Sequence, residues 1–152
     1  MKIALGCDHA GLDLKEVVSG YLERMGHEVM DEGTFSLESC DYPDFAEKVA
    51  MRVASGEAER GILICATGIG MAMTANKIPG VRAALCNDLY TARYSRLHND
   101  ANVLTMGARV IGSGVAEEVV RIWIETPFEG GRHSRRLDKL SEIESRHGGI
   151  SV

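Results

Sequence analysis

Apolar residues are spaced along this chain in two alternating ways. Five short runs are mostly apolar, and the segments between them place apolar residues three and four positions apart. The first spacing predicts buried strands, and the second predicts helices with one buried face. The predicted strands cover residues 2–7, 27–31, 62–65, 81–86 and 102–106. The predicted helices cover residues 12–25, 43–55, 71–77, 89–97 and 115–125, and a charged last helix follows the break at 127–131.

The order of these elements predicts a three-layer α/β domain with a five-stranded parallel sheet. Strands that alternate with helices form crossover units, which build a parallel sheet with helices on its faces. Ligands of such sheets bind beyond the carboxyl ends of the strands. Residues 7–9, 65–67 and 86–88 follow three predicted strands, so we expect them along one edge of the sheet. Because no repeat or linker divides the sequence, we expect one domain over residues 1–152.

The last predicted helix fits this scheme less well. Its apolar side is narrow, with Leu137, Leu140 and Ile143, and it follows the glycine pair Gly130 and Gly131. A terminal amphipathic helix must cover its apolar side with another surface. We therefore expect this C-terminal helix to pack on a partner subunit in a homodimer.

Composition and charge narrow the classes of function. The formal net charge of −5 disfavours a nucleic-acid-binding protein, whose surface is basic. No apolar run approaches the roughly 18 residues of a membrane span, and the first apolar run is too short for a signal peptide, so we expect a cytoplasmic protein without a membrane partner. The four cysteines are too widely separated to indicate a zinc site or a disulfide framework, and no metal is expected.

Residues 61–77 carry the most distinctive chemistry. An apolar strand ends in Cys65, and a turn of Thr67, Gly68, Ile69 and Gly70 leads into a helix. Unpaired N–H groups and the helix dipole make such a turn suitable for an anion, and they favour a thiolate at Cys65. Two plainer interpretations stay open: an unreactive buried cysteine, and a glycine turn that only allows close packing. The third glycine of a dinucleotide-binding fingerprint is Met73 here, which disfavours a dehydrogenase.

Charged and ionisable residues elsewhere provide further candidates. They are Asp8, His9, His98, Arg109, Arg132 and Arg136. Arg132 and Arg136 lie four positions apart, hence on one face of the last helix, where two guanidinium groups can hold a phosphate dianion. Solvent-facing loops and an ordinary charged helix face explain the same residues, so both interpretations stay open at this point.

Five motifs together resemble one protein family. They are GCDHAG from Gly6, DYPDFA from Asp41, ILICATGIGMAMTANK from Ile62, RLHNDANVLTMGARV from Arg96 and EGGRHSRR from Glu129. In this order, over almost the whole chain, they resemble the type B ribose-5-phosphate isomerases, in the family shared with galactose-6-phosphate isomerase subunits. The resemblance implies a Rossmann-like fold and a cofactor-independent sugar-phosphate isomerase, an intramolecular oxidoreductase. It also implies a site shared between subunits of a homodimer or tetramer.

The resemblance implies roles for individual residues. Cys65 looks like the base that moves a proton between C1 and C2 of the sugar through a cis-enediolate. Thr67 and His98 resemble residues that assist opening of the sugar ring, with Asp8 close by. The backbone expected to hold the enediolate oxygens comprises Ala66, Thr67, Gly68, Ile69 and Gly70. The remaining implied substrate contacts are His9, Asn99, Arg109, Arg132 and Arg136, the last two from the other subunit.

Some alternatives stay open beside this resemblance. The family pattern usually has glycine where this chain has Ala66. If the backbone at this position is left-handed, the alanine methyl group would strain the turn. The same reaction on an allose, galactose or four-carbon sugar phosphate is one alternative function. A non-catalytic sugar-phosphate-binding protein is another.

Overall fold

The predicted alternation of strands and helices is present in the computed structural model, which describes residues 1–147. The last positions of the predicted domain, 148–152, lie outside the described residues. The strands are β1 (Lys2–Cys7), β2 (Glu28–Asp31), β3 (Arg60–Cys65), β4 (Ala83–Leu85) and β5 (Val103–Gly107). The helices are α1 (Leu12–Arg24), α2 (Tyr42–Ala54), α3 (Ile69–Ala75), α4 (Leu89–Leu97), α5 (Ser113–Glu125) and α6 (Arg132–His147).

All five strands run parallel in one sheet, which confirms the predicted fold class. The strand order is β2-β1-β3-β5-β4, so β3 lies at the centre. The register pairs Cys7 of β1 with Ile64 of β3, and Cys65 of β3 with Gly107 of β5. Three neighbouring strands therefore end almost level. The residues that follow them share the carboxyl edge of the sheet.

Helices cover both faces of the sheet. Successive strand residues point to opposite faces, so each strand contributes to two cores. Ile62 and Ile64 pack in the core formed with α1, α4 and α5, where Trp123 is fully buried. Leu63 and Cys65 pack in the core formed with α2 and α3. The side chain of Cys65 thus lies on the face that carries α3.

The fourth strand is shorter than the predicted range of 81–86. β4 lies at the edge of the sheet and pairs with β5. Val81 is instead part of a turn, in which its N–H donates to the Ile78 carbonyl at 3.1 Å. The Asn76 side chain bonds both the N–H and the carbonyl of Ala83, at 2.8 and 2.9 Å. The apolar run predicts that Val81 is buried, but it carries no information about where strand pairing begins.

α6 buries little of its own surface against the rest of the chain. Within residues 132–147 the buried side chain is that of His133, whereas Leu140 and Ile143 are 50% and 52% exposed. Glu144 accepts a hydrogen bond from the Gly80 N–H at 3.1 Å. A cleft of about 740 Å³ separates this part of α6 from the region around β4. No helix in residues 1–147 is both long enough and apolar enough to cross a bilayer.

Candidate active site

Cys65 ends the central strand at the carboxyl edge and is 5% exposed. Its sulfur accepts a hydrogen bond from the Gly68 N–H at 3.1 Å. This hydrogen bond gives the sulfur a polar partner, because the donor hydrogen carries partial positive charge. The predicted contact between Cys65 and the turn after it is therefore present as a specific hydrogen bond.

Two other buried cysteines have different surroundings. The thiols of Cys7 and Cys86 donate to backbone carbonyls, at 3.9 and 3.7 Å. Burial raises the pKa of Cys7 to about 12, and burial also raises the pKa of Cys86. These two residues are neutral thiols at physiological pH. The contrast distinguishes Cys65, whose sulfur accepts a hydrogen bond, from cysteines that serve as small apolar residues.

Gly68 is required by the conformation of the turn. Its φ of 81° lies in the left-handed region, where residues with a Cβ are strained. A Cβ at this position would also lie 2.8 Å from the Met106 carbonyl carbon. The Gly68 carbonyl accepts a hydrogen bond from the Thr105 hydroxyl at 3.0 Å. These contacts hold the peptide whose N–H points at the sulfur.

Ala66 is compatible with the same turn. Among residues 1–147 the non-glycine residue with positive φ is Asp100, so Ala66 does not require the left-handed conformation that glycine favours. The Ala66 carbonyl accepts a hydrogen bond from the Arg109 N–H at 3.0 Å, and the Cys65 carbonyl accepts one from Ala108 at 2.8 Å. The alanine that replaces the usual glycine therefore leaves the turn unstrained.

Thr67 and Arg109 are both exposed at this edge of the sheet. The Thr67 hydroxyl accepts a hydrogen bond from the Ile69 N–H at 3.3 Å. Gly107 allows the two turns to approach, since a Cβ there would lie 2.7 Å from the Thr67 carbonyl oxygen. Asn87, which the sequence did not single out, fixes the second turn by accepting from the Gly107 N–H at 2.9 Å.

Asp8 and His9 follow β1 at the same edge. Asp8 is 7% exposed, and its Oδ1 accepts hydrogen bonds from the N–H groups of Ala10 and Gly11 at 3.0 and 3.1 Å. His9 Nδ1 accepts from the Cys40 N–H at 3.2 Å. A neutral imidazole that accepts at Nδ1 carries its proton on Nε2. His9 therefore has Nε2–H as a donor for an anion.

Tyr42 also belongs to this edge, although its role was not predicted. A Cβ on Gly70 would lie 2.7 Å from the Cε2 and Cζ atoms of the tyrosine ring. The ring thus covers the bare backbone of the turn at Gly70, and Tyr42 is 40% exposed. The available signal was its place in the motif DYPDFA. The contact itself arises from the packing of α2 against α3.

The other predicted site residues lie at the opposite, amino edge. His98 caps the C-terminus of α4, and Asn99 follows it shortly before β5 begins. β5 has five residues and rises about 3.3 Å per residue, so its two ends lie about 13 Å apart. The loop before α6 joins the same edge, because the Glu129 N–H donates to the Leu97 carbonyl at 3.0 Å.

Arg132 and Arg136, in the first turns of α6, follow that loop directly. Within one chain the structure therefore brings together Cys65, residues 66–70, Asp8, His9 and Arg109. It does not bring His98, Asn99, Arg132 or Arg136 to that group. The alternation of strands and helices could have predicted that His98 and Asn99 lie apart from Cys65. A helix that follows a parallel strand returns the chain to the amino edge.

His98 has close neighbours of its own at the amino edge. Its ring stacks on His133, with ring centroids 4.1 Å apart and an interplanar angle of 13°. Glu129 Oε2 lies 3.7 Å from His98 Nε2 and 3.3 Å from His133 Nε2. Desolvation by burial, followed by the neighbouring His98 and Arg132, lowers the pKa of His133.

The ligand-type atoms of His98, Glu129 and His133 all lie within 4.8 Å of one another. Their arrangement does not suit one metal ion. The lone pair of an imidazole nitrogen lies in the plane of its ring. An ion between two stacked, nearly parallel rings would lie outside at least one ring plane. Side-chain rotation would have to break the stack before both rings could bind it.

The fold and the carboxyl-edge residues define a class of protein: a parallel α/β domain with a hydrogen-bonded cysteine beside a glycine turn. The chain belongs to the ribose/galactose isomerase family, whose model matches residues 3–140. This confirms the resemblance carried by the five motifs and the Rossmann-like fold that it implied. With it, the chain is placed in a family of sugar-phosphate isomerases.

Individual relatives agree over nearly their whole length. Ribose-5-phosphate isomerase B of Escherichia coli (strain K12) is 48% identical over 145 residues, covering 95% of this chain and 97% of that protein. D-erythrulose-4-phosphate isomerase of Pectobacterium atrosepticum is 41% identical over 145 residues, covering 95% of both. The solved structure of Clostridium thermocellum ribose-5-phosphate isomerase B matches with a TM-score of 0.96 at 51% identity, covering 97% of this chain and 99% of that one.

Proposed function

We propose that the protein interconverts ribose 5-phosphate and ribulose 5-phosphate, with Cys65 as the general base. The observation that carries this proposal is the hydrogen bond from the Gly68 N–H to the Cys65 sulfur. Relatives at 48% and 51% identity are ribose-5-phosphate isomerases B, which supports the choice of sugar. The aldehyde and the adjacent alcohol exchange oxidation level within one molecule, so the reaction requires no cofactor.

The turn after Cys65 offers the groups that such a reaction needs. A hydrogen on the carbon beside a carbonyl is weakly acidic, so its removal requires a positioned base and a stabilised oxyanion. A donor aimed at that developing charge contributes about 3–4 kcal/mol. The backbone of residues 66–70 is assigned to the oxyanion. The Cys65 thiolate takes the proton from one carbon and returns it to the neighbouring carbon of the cis-enediolate.

Side chains around the turn are assigned to the rest of the substrate. Thr67 assists opening of the sugar ring, together with His98 of a second copy. Asp8 Oδ1 is already bonded to backbone N–H groups, so its Oδ2 is the oxygen for a sugar hydroxyl. His9 donates through Nε2 to the phosphate, and Arg109 shares that role at the same edge.

Two copies of the chain complete each site in this proposal. His98, Asn99, Arg132 and Arg136 lie too far from Cys65 of their own chain, so they serve the Cys65 of a second copy. The half-exposed Leu140 and Ile143 give α6 an apolar side with which to pack on that copy. A homodimer is the smallest assembly with two complete sites, and a tetramer of two such dimers would repeat them.

One alternative keeps the reaction and changes the sugar. The relative that is 41% identical is a D-erythrulose-4-phosphate isomerase, so a shorter substrate is compatible with this degree of similarity. The distance between Cys65 and the arginines of the second copy sets the length of substrate that fits. Comparing kcat/KM for sugar phosphates of four, five and six carbons distinguishes these possibilities, and we expect the highest value for ribose 5-phosphate.

The role of Cys65 is tested by Cys65→Ala, which should lower kcat for ribose 5-phosphate at least about a hundredfold while the protein remains folded. Cys86→Ala is the matched control, because it removes a buried thiol that follows the edge strand β4, two places from β3 in the sheet, and should retain activity. Near-normal turnover of Cys65→Ala would eliminate the proposed base. Binding of sugar phosphate by the unaltered protein, with neither turnover nor incorporation of solvent deuterium at C1 or C2, would indicate a binding protein instead.

A further inference from the structure

Glu129 and His133 contact His98 but have no part in the functions assigned above. His133 is 3% exposed and its ring lies face to face with the ring of His98. Glu129 Oε2 is shared between the Nε2 atoms of both histidines, at 3.7 Å from His98 and 3.3 Å from His133. The Glu129 N–H donates to the carbonyl of Leu97, the residue before His98. These contacts link the loop before α6 to the end of α4.

The two contacts restrict different motions of the His98 ring. The buried face of His133 limits tilting of the ring, since stacked rings keep their planes nearly parallel. The Glu129 carboxylate attracts the Nε2–H edge and so disfavours a flip about the Cβ–Cγ bond. With Nε2 directed at Glu129, Nδ1 is the nitrogen that faces away from the carboxylate. It is therefore the nitrogen suited to exchange a proton with a sugar.

Arg132 connects this pair to phosphate binding. Its Nε lies 3.4 Å from His133 Nε2 and is in position to donate to it. One imidazole nitrogen cannot accept from Arg132 and donate to Glu129 at the same time. While Arg132 donates to His133, the Glu129 carboxylate is left to His98. The same short network therefore contains a proposed phosphate ligand and the proposed ring-opening histidine.

We propose that Glu129 and His133 are positioning residues that orient the His98 imidazole for opening of the sugar ring. This inference rests on the isomerase function proposed above. It assigns His133 the restraint of the ring plane and Glu129 the choice of ring edge. Neither residue contacts the carbons between which the proton moves.

The two substrates of the proposed reaction allow ring opening to be measured separately from proton transfer by Cys65. Ribose 5-phosphate exists mainly as a five-membered ring closed between C1 and O4, so its turnover includes ring opening. Ribulose 5-phosphate cannot close the equivalent ring, because the C5 oxygen that would attack C2 carries the phosphate. Exchange of its C1 hydrogen with solvent deuterium therefore reports the action of Cys65 without ring opening.

Glu129→Gln keeps the size of the side chain and removes its charge. We expect kcat for ribose 5-phosphate to fall about ten- to a hundredfold, at or below the lower end of direct acid–base contributions because Glu129 acts only through His98, with KM changed less than about threefold. Deuterium exchange at C1 of ribulose 5-phosphate should stay within about twofold of the unaltered protein. Glu125→Gln is the matched control, since this exposed carboxylate pairs with Arg121 rather than with a histidine.

His133 is tested with two replacements. His133→Phe retains an aromatic face, whereas His133→Ala removes it, so the phenylalanine variant should retain several times more ribose 5-phosphate turnover. Circular dichroism and gel filtration establish that each variant is folded and assembled. Equal losses in turnover and in exchange, or no loss of turnover in Glu129→Gln, would overturn the positioning role. Absence of both turnover and exchange in the unaltered protein would instead overturn the isomerase function itself.

Discussion

The two edges of the sheet are built in different ways. At the carboxyl edge, backbone groups hold the proposed chemical centre: the Gly68 N–H donates to the Cys65 sulfur and the Arg109 N–H donates to the Ala66 carbonyl. At the amino edge, charged side chains hold the loop after His98. Asp100 accepts from Arg96 at 2.7 Å and from Arg82 at 3.0 Å. The residues proposed for proton transfer are therefore assembled within one chain, whereas those at the amino edge would join a site only beside a second copy.

The largest expected effect comes from mixing two inactive variants. Cys65→Ala inactivates the carboxyl-edge half, and His98→Ala inactivates the amino-edge half. If each site combines Cys65 of one chain with His98 of another, a mixed dimer contains one site with both substitutions and one with neither. Random re-association of equal amounts should therefore restore about a quarter of the unaltered ribose 5-phosphate turnover.

The control for this experiment is each variant re-associated with itself, which should stay inactive. Mass spectrometry of the intact assemblies should show that mixed dimers are present. If mixed dimers form without any recovery of turnover, both residues belong to one chain's site. The proposal that the two edges of different chains form one site would then be wrong.

Much of the fold follows from the sequence because its causes are local. The alternation of apolar runs with helical spacing predicted five parallel strands, and the structure confirms them. The rule that ligand-binding residues follow the carboxyl ends of parallel strands predicted that Cys65 lies at the same edge as Asp8 and His9. The limits of β4 were not predictable, because its start depends on a turn at Val81 and on the Asn76 side chain.

The site was less predictable where distant elements meet. The contact between Tyr42 and Gly70 depends on how α2 packs on α3, which apolar spacing does not specify. His98 and Asn99 carry suitable chemistry, but α4 takes them away from the edge on which Cys65 lies. For Ala66, sequence alone left the backbone conformation open. The structure places the left-handed conformation at Gly68 instead.

The left-handed conformation of Gly68 gives a prediction for the carboxyl edge. Gly68→Ala adds a Cβ that would lie 2.5 Å from Leu85 Cδ1, at a residue with φ of 81°. We expect kcat to fall about a hundredfold as the N–H turns away from the sulfur, and stability to fall by about 1–3 kcal/mol. Ala66→Gly, two residues earlier, should leave kcat nearly unchanged. Steady-state kinetics and urea unfolding measure both effects, and a larger loss of kcat in Ala66→Gly would reverse the assignment.

The amino edge should respond in KM rather than in kcat. Arg136→Ala removes a guanidinium that we assign to the phosphate of a substrate held by the second copy. A hydrogen bond to a charged group contributes about 1.5–3 kcal/mol, so KM should rise about ten- to a hundredfold with little change in kcat. Arg135→Ala removes the adjacent exposed arginine from another face of α6 and should leave KM unchanged. A lowered kcat with a normal KM would contradict the assignment of Arg136.

The smallest expected effect concerns the loop that carries His98 and Asn99. Asp100 has a φ of 44°, and its carboxylate binds Arg96, which is 6% exposed. Asp100→Ala should lower the free energy of unfolding by about 1–3 kcal/mol, because Arg96 loses a charged partner. Asp100→Gly loses the same partner but accommodates positive φ, so it should be about 1 kcal/mol more stable than Asp100→Ala. Urea unfolding at one fixed protein concentration measures the difference, since stability of an assembly depends on concentration. Equal stability of the two variants would mean that the left-handed backbone at Asp100 is maintained by its ion pairs and relaxes without them.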